Sequence, residues 1–120
     1  SSIKINSIKV FEAINDCLDV STGTYFINNL LVSNCGDKGI SVGEKSKFSS
    51  KTVKIDFSSI GISSKDSSKT TINSGNFSNT KICYEIFKKK QEFMGAELQI
   101  GNILCDGEIK KDNQSIIKKI

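Results

Sequence analysis

The chain repeats the character of its side chains at intervals of 22 residues. Leu18, Ile40 and Ile62 fall on one column, with Tyr84 next in line. Val20, Val42 and Ile86 fall on the column two residues on, with Ser64 as its polar member. Cys17, Gly39, Gly61, Cys83 and Cys105 make the small-residue column just before, Val10 pairs with Val32, and Phe26 with Phe48. A fixed period of about 20–30 residues marks a solenoid, whose units bury their apolar faces only by stacking on each other. Stacked positions are then direct neighbours, so Leu18-Ile40-Ile62 and Val20-Val42 are expected to form continuous core ladders. Asp19, Ser41, Ser63 and Glu85, one residue out of phase, are expected to face solvent from the same sheet.

Within each period the apolar positions alternate over short runs, as in Ile3-Lys4-Ile5, Val53-Lys54-Ile55 and Leu98-Gln99-Ile100. Asn, Gly, Ser and Asp separate the runs, the pattern of short strands broken by tight turns. Coils are expected over 2–21, 22–43 and 44–65, a fourth from Asp66, and a fifth from near Gln91. Phe87 to Phe93 is the one weak helix candidate.

Composition narrows the function classes. The 120 residues suit a single domain. No apolar run approaches the roughly 18 residues of a membrane span, and no signal-peptide pattern opens the sequence. The basic residues are all lysine, and arginine, histidine, proline and tryptophan are absent. The heavy use of Ser, Ile, Lys and Asn reads as a coding bias. Without arginine there is no bidentate fork for guanine or phosphate, and the aromatics are not spaced as stacking platforms, so nucleic acid is not an expected partner. Without histidine there is no Ser-His triad, histidine-ligated zinc or imidazole base. Cys17, Cys35, Cys83 and Cys105 show no CxxC spacing. A strict 22-residue register sets Cys83 directly beneath Cys105, where either a disulfide or a ladder of buried thiols could form. Buried thiols are the commoner arrangement.

The segment "INNLLVSNCGDKGISVG", with its Ile-x-Asn opening, Asn-Cys turn and Gly-Ile-x-Val strand, resembles a coil of a right-handed parallel β-helix of the pectin-lyase-like kind. The resemblance covers residues 2–110. It implies an all-β solenoid of about five coils, with asparagines such as Asn15 and Asn34 satisfying turn backbone through stacked amides. The whole of 1–120 is expected to be one such domain, a segment of a longer solenoid whose exposed ends invite self-association.

Chemistry is expected on the edge formed by the "DC" and "GDKG" turns. Asp16, Asp19 and Asp37 approach one another there, and Asp16 stacks on Lys38 one coil later. The stretch "NDCLDVSTG…NCGDKGISVG" resembles the polygalacturonase active-site region, an Asp-Asp-Cys turn followed one coil on by Gly-His-Gly-x-Ser-Ile-Gly. Asp16 takes the second aspartate's place, while Gly39, Ser41 and Gly43 match Gly, Ser and Gly. The first aspartate is Asn15, the histidine is Lys38, and the Arg-x-Lys clamp has no arginine. An inverting hydrolase needs an acid and a base either side of a water, and one of that pair is missing. A lyase working with Asp16, Asp19, Asp37 or Lys38 as base, and a Ca²⁺ site on the three aspartates, are the remaining catalytic readings. Otherwise the edge is a solvated ladder of opposite charges, each pair contributing about 0–1 kcal/mol.

Residues 1–35 also resemble an intein C-terminal segment, with "DCLDVSTGTYFINNLLVSNC" as a strand-turn-strand ending in a splice-junction asparagine. That implies cyclisation of Asn34 with Cys35 as the following nucleophile. The 22-residue columns nevertheless cross this junction unbroken.

Taken together, the residues lead to a non-catalytic extracellular or cell-surface module that binds polysaccharide or supports adhesion. Asp19, Ser41, Glu44, Lys65 and Lys88 are its candidate ligand-binding set, and no cofactor beyond Ca²⁺ is expected. A uronic-acid lyase or hydrolase, a structural spike or filament segment, and splicing at Asn34/Cys35 are the alternatives.

Overall fold

A computed structural model describes residues 2–120. It is a parallel β-solenoid of about five turns, with strands β1 (Ser2–Val10), β2 (Leu18–Val20), β3 (Gly23–Val42), β4 (Ser46–Lys65), β5 (Lys69–Phe87), β6 (Glu97–Cys105), β7 (Glu108–Lys111) and β8 (Ile116–Lys119). Neighbouring coils pair in parallel, in the order β1-β3-β4-β5-β6-β8, with β2 on β3 and β7 on β5. The expected short strands are in fact joined: β3 and β4 each run 20 residues around the prism. The reason lies at the corners. There a single residue drops out of the pairing while the chain on both sides keeps hydrogen bonding to the coil above. Asn6, Asn28, Lys51 and Asn73 mark one corner in this way. Asn34, Phe57 and Asn79 mark the next, all with positive φ, and Thr22, Lys45 and Ser67 turn the third with positive φ as well.

These corners divide each coil into three faces. The first holds 24–27, 46–50, 69–72 and 97–100; the second 29–33, 52–56, 74–78 and 102–105; the third 35–42, 58–65 and 80–87. Inward side chains stack into ladders. Leu18, Ile40, Ile62 and Tyr84 pair in succession as the period requires, and so do Val10 and Val32. Val20, Val42, Ser64 and Ile86 form a second ladder. Its polar member is satisfied in the interior: the Ser64 hydroxyl lies 2.6 Å from that of Ser68 and 2.9 Å from that of Thr70. All three are buried. Unpaired, each such hydroxyl would cost about 1–3 kcal/mol, so the cluster lets one ladder carry oxygen without breaking.

The strict period slips in two places. β3 and β4 pair at an offset of 23 residues from Gly23↔Ser46 to Cys35↔Ser58, and return to 22 at Lys38↔Ile60. Phe48 therefore stacks on Tyr25, not on Phe26. Phe26 takes the opposite side of the strand, where the Lys4 ammonium lies 5.8 Å from its ring centroid. The extra residue is absorbed by a bulge between Cys35 and Lys38. Gly36 permits it, because a Cβ there would lie 1.7 Å from the Ile14 carbonyl oxygen.

The second slip follows β5. Residues 88–96 form a loop, with no helix over Phe87–Phe93, and the fifth coil resumes at Glu97, later than expected. The offset between β5 and β6 is 28 residues, so Cys105 pairs with Phe77 and not with Cys83. Asp66, fully buried, secures the loop: its Oδ1 accepts the backbone N–H groups of Lys89 at 2.6 Å and Lys90 at 2.9 Å.

The thiol expectation is also overturned. Cys83 bonds to Cys105, and Cys17 to Cys35. The paired cysteines have Cα separations of 6.1 and 5.3 Å respectively, within disulfide range. Each bond ties an outer coil to its inner neighbour.

Ile62 is fully buried between Ile40 and Tyr84. Ile62→Ala is expected to destabilise the fold by about 2–5 kcal/mol, read from urea denaturation. A loss below about 1 kcal/mol would mean the ladder is not packed as described.

Candidate functional site

Asp16 and Asp37 converge on Lys38 at the edge where chemistry was expected. The bulge at Gly36–Asp37 brings the Lys38 ammonium 2.8 Å from Asp37 Oδ2 and 3.9 Å from Asp16 Oδ1. The Lys38 backbone N–H also donates to Asp16 Oδ1 at 3.2 Å, the one-coil stacking that the sequence implies. Burial acts to lower the Lys38 pKa. The Asp37 hydrogen bond, with the charges of Asp16, Asp37 and Glu85, outweighs it and holds the ammonium above the ordinary lysine value. A lysine base needs the opposite shift, toward neutrality at working pH. The lysine and its two carboxylates are occupied with one another.

Asp19 does not join them. It lies exposed on β2 opposite Ser41. Among the described residues no group of three or more acidic or other metal-ligating side chains converges, so the three aspartates do not form a Ca²⁺ cage.

The expected ligand-binding residues lie along the third face and at the corner that follows it. Ser41, expected to face solvent, is only 2 % exposed, and Ser63 is fully buried. Each is a short side chain held between ladder neighbours, Asp19↔Ser41↔Ser63↔Glu85. At a strand spacing of about 4.8 Å the longer neighbours shade it. The Ser63 hydroxyl donates to Glu85 at 3.2 Å. Glu44 accepts a hydrogen bond from the Lys90 ammonium, and Lys65 pairs with Phe87 at the end of the third face. Lys88 lines a hollow of about 800 Å³ beside the 88–96 loop, with Phe93, Met94 and Ile116. Its backbone N–H donates to Asp112 Oδ2 at 2.8 Å.

The asparagine of the splice-like segment, Asn34, turns a corner with φ 54°, and its Nδ2 donates to the Phe11 carbonyl oxygen at 3.3 Å. Cys35 Sγ is bonded to Cys17 and its backbone pairs with Ser58, so the ladder continues through this point. The stacked amide pair is elsewhere: Asn28 Nδ2 donates to Asn6 Oδ1 at 3.1 Å. Asn15 contributes through its backbone, its carbonyl oxygen accepting the Asp37 N–H at 2.9 Å.

The larger candidate surface lies on the second face. Two outward columns, Ser7-Asn29-Thr52-Ser74 and Lys9-Leu31-Lys54-Asn76-Leu104, border an open groove of about 450 Å³. Asn76 and Leu104 also line a second hollow of about 600 Å³, with Asn79, Lys81 and Asp106. Asn79 and Lys81 in turn line a third, of about 330 Å³, beside Phe57. Each hollow shares lining residues with the next, so the three follow one another as a track from the second face around its corner. Lys9, Lys54 and Lys81 are exposed along it. The alternation of Lys54 with Val53 and Ile55 carried part of this signal; the placement of Leu104 depended on the 28-residue offset.

Burial acts to raise the Asp112 pKa. Hydrogen bonds from the Lys88 N–H, the Ser115 hydroxyl and the Gln114 N–H outweigh it and hold the carboxyl below its ordinary value. Its charged form therefore stabilises the fold above about pH 4, and this contribution is lost as pH falls through the lowered folded-state pKa. The Tm difference between wild type and Asp112→Ala is expected to be constant near neutrality and to shrink below about pH 4. A difference that persists unchanged to about pH 2 would assign Asp112 a role independent of its charge.

At the splice-like junction, the purified chain is expected to keep one intact mass on prolonged incubation. Cleavage after Asn34 would instead establish asparagine cyclisation there.

Comparison with protein-family models, with curated proteins and with solved structures finds no match for this chain.

Proposed function

We propose that this chain is a non-catalytic, extracellular or cell-surface module that binds acidic polysaccharide along the track on its second face. The observation that carries the reading is the continuity of the three hollows through Asn76, Leu104, Asn79 and Lys81. An extended polymer suits a shallow, extended surface, whereas a small metabolite needs an enclosing cavity. Amide and hydroxyl side chains supply hydrogen bonds to sugar hydroxyls, Leu31 and Leu104 supply apolar contact, and Lys9, Lys54 and Lys81 favour carboxylates. The self-paired state of Lys38 supports a non-catalytic role. Both disulfides suit an oxidising compartment.

Assembly through the solenoid ends is a second reading, as in a spike or filament segment. It draws on Ile3, Ile109 and Ile116, which are 45 %, 59 % and 50 % exposed on terminal strands. Concentration-dependent light scattering without glycan binding would favour it.

The direct test is calorimetric titration with polygalacturonate and alginate, against neutral xylan, at low and high salt. Binding of the acidic polymers that weakens with salt is expected. Lys54→Ala should lower affinity roughly two- to fivefold. Failure to bind any polymer would overturn the reading. Release of reducing or unsaturated sugar that Asp37→Asn abolishes would overturn its non-catalytic part.

A further inference from the structure

Phe57 sits where a phenylalanine is locally unfavourable. Its φ is 59°, in the left-handed region, and its neighbours in the same corner column are Asn34 and Asn79, with φ of 54° and 49°. Asparagine tolerates this conformation because its short side chain bonds nearby backbone, whereas a bulky side chain there is an outlier. Burial does not compensate, since Phe57 is 55 % exposed. A bulky, exposed side chain held in this conformation is a candidate for a contact outside the fold.

The surroundings indicate what that contact is. Phe57 borders the last hollow of the track, lined also by Ser58, Ser59, Asn79 and Lys81. The amide of Asn79 is held in place, its Nδ2 donating to Asp56 Oδ1 at 2.9 Å, and the Ser78 hydroxyl donates to the same oxygen at 2.7 Å. A flat apolar face beside a held amide, hydroxyls and an exposed ammonium matches a pyranose ring. The C–H face of such a ring stacks on an aromatic while its hydroxyls and carboxylate reach polar neighbours.

We infer that Phe57 is the stacking residue of a terminal sugar subsite, with Lys81 meeting the carboxylate of a uronic acid. This inference rests on the polysaccharide reading and names the subsite within it. A chain long enough to occupy both the groove beside Lys54 and this corner engages Phe57; a shorter one held only in the groove does not.

The test uses Phe57→Asn and Phe57→Ala, with short and long oligogalacturonides in calorimetric titration and thermal melts alongside. Both variants are expected to lower affinity for the long oligomer roughly three- to tenfold and to leave the short one unchanged. Phe57→Asn should also raise Tm by roughly 3–6 °C, because asparagine relieves the strain, while Phe57→Ala gains little. Binding of the long oligomer unaltered by either variant overturns this inference and leaves the polysaccharide reading standing. A lower Tm for Phe57→Asn also overturns it, since Phe57 would then serve the fold. Wild type that binds no oligomer overturns both.

Discussion

Every part of this molecule depends on parallel pairing between one coil and the next. With strands about 4.8 Å apart, a side chain on one coil is in contact with the residue at the matching position above and below. Each inward ladder must therefore be apolar, or have its polar members hydrogen-bonded to other interior groups, for the neighbouring coils to close. The ladder Leu18-Ile40-Ile62-Tyr84 does the first. Ser64, joined to Ser68 and Thr70, does the second. The same constraint acts outside the prism: Asp16 meets the backbone N–H of Lys38, and Ser63 meets Glu85.

What the sequence made readable follows from this. Stacking demands like residues at a fixed interval, so the period, the parallel sheet and two of the core ladders could be read directly. The slips could not. One extra residue is taken up at Gly36–Asp37 and several more at 88–96, both at positions open to solvent, where added length costs little free energy. Such insertions leave the packing of each coil intact but move everything after them, and that is why Phe48 and Cys105 have partners other than those the strict period implies.

The candidate sites divide in the same way. The Asp16–Lys38 stack was accessible because its members are one coil apart. The ion pairing that occupies Lys38 was not, because it comes from the bulge carrying Asp37. The track on the second face was hidden for a different reason: its columns mix Lys, Leu, Asn, Thr and Ser, and outward positions have no common chemistry to repeat. Phe57 stands out only once its backbone conformation is known, and then by comparison with Asn34 and Asn79.

A stack of this kind is weakest at its two extremities, where a coil has a neighbour on one side only. Cys17–Cys35 joins the first coil to the second and Cys83–Cys105 the fourth to the fifth, with the coil of β4 between them left unbridged. The covalent links therefore govern fraying. With them in place, β1 and β8 can lift from the stack, but opening that passes the joined cysteines is held back. Once they are reduced, the prism can peel from both extremities, and amide-exchange protection would retreat toward β4.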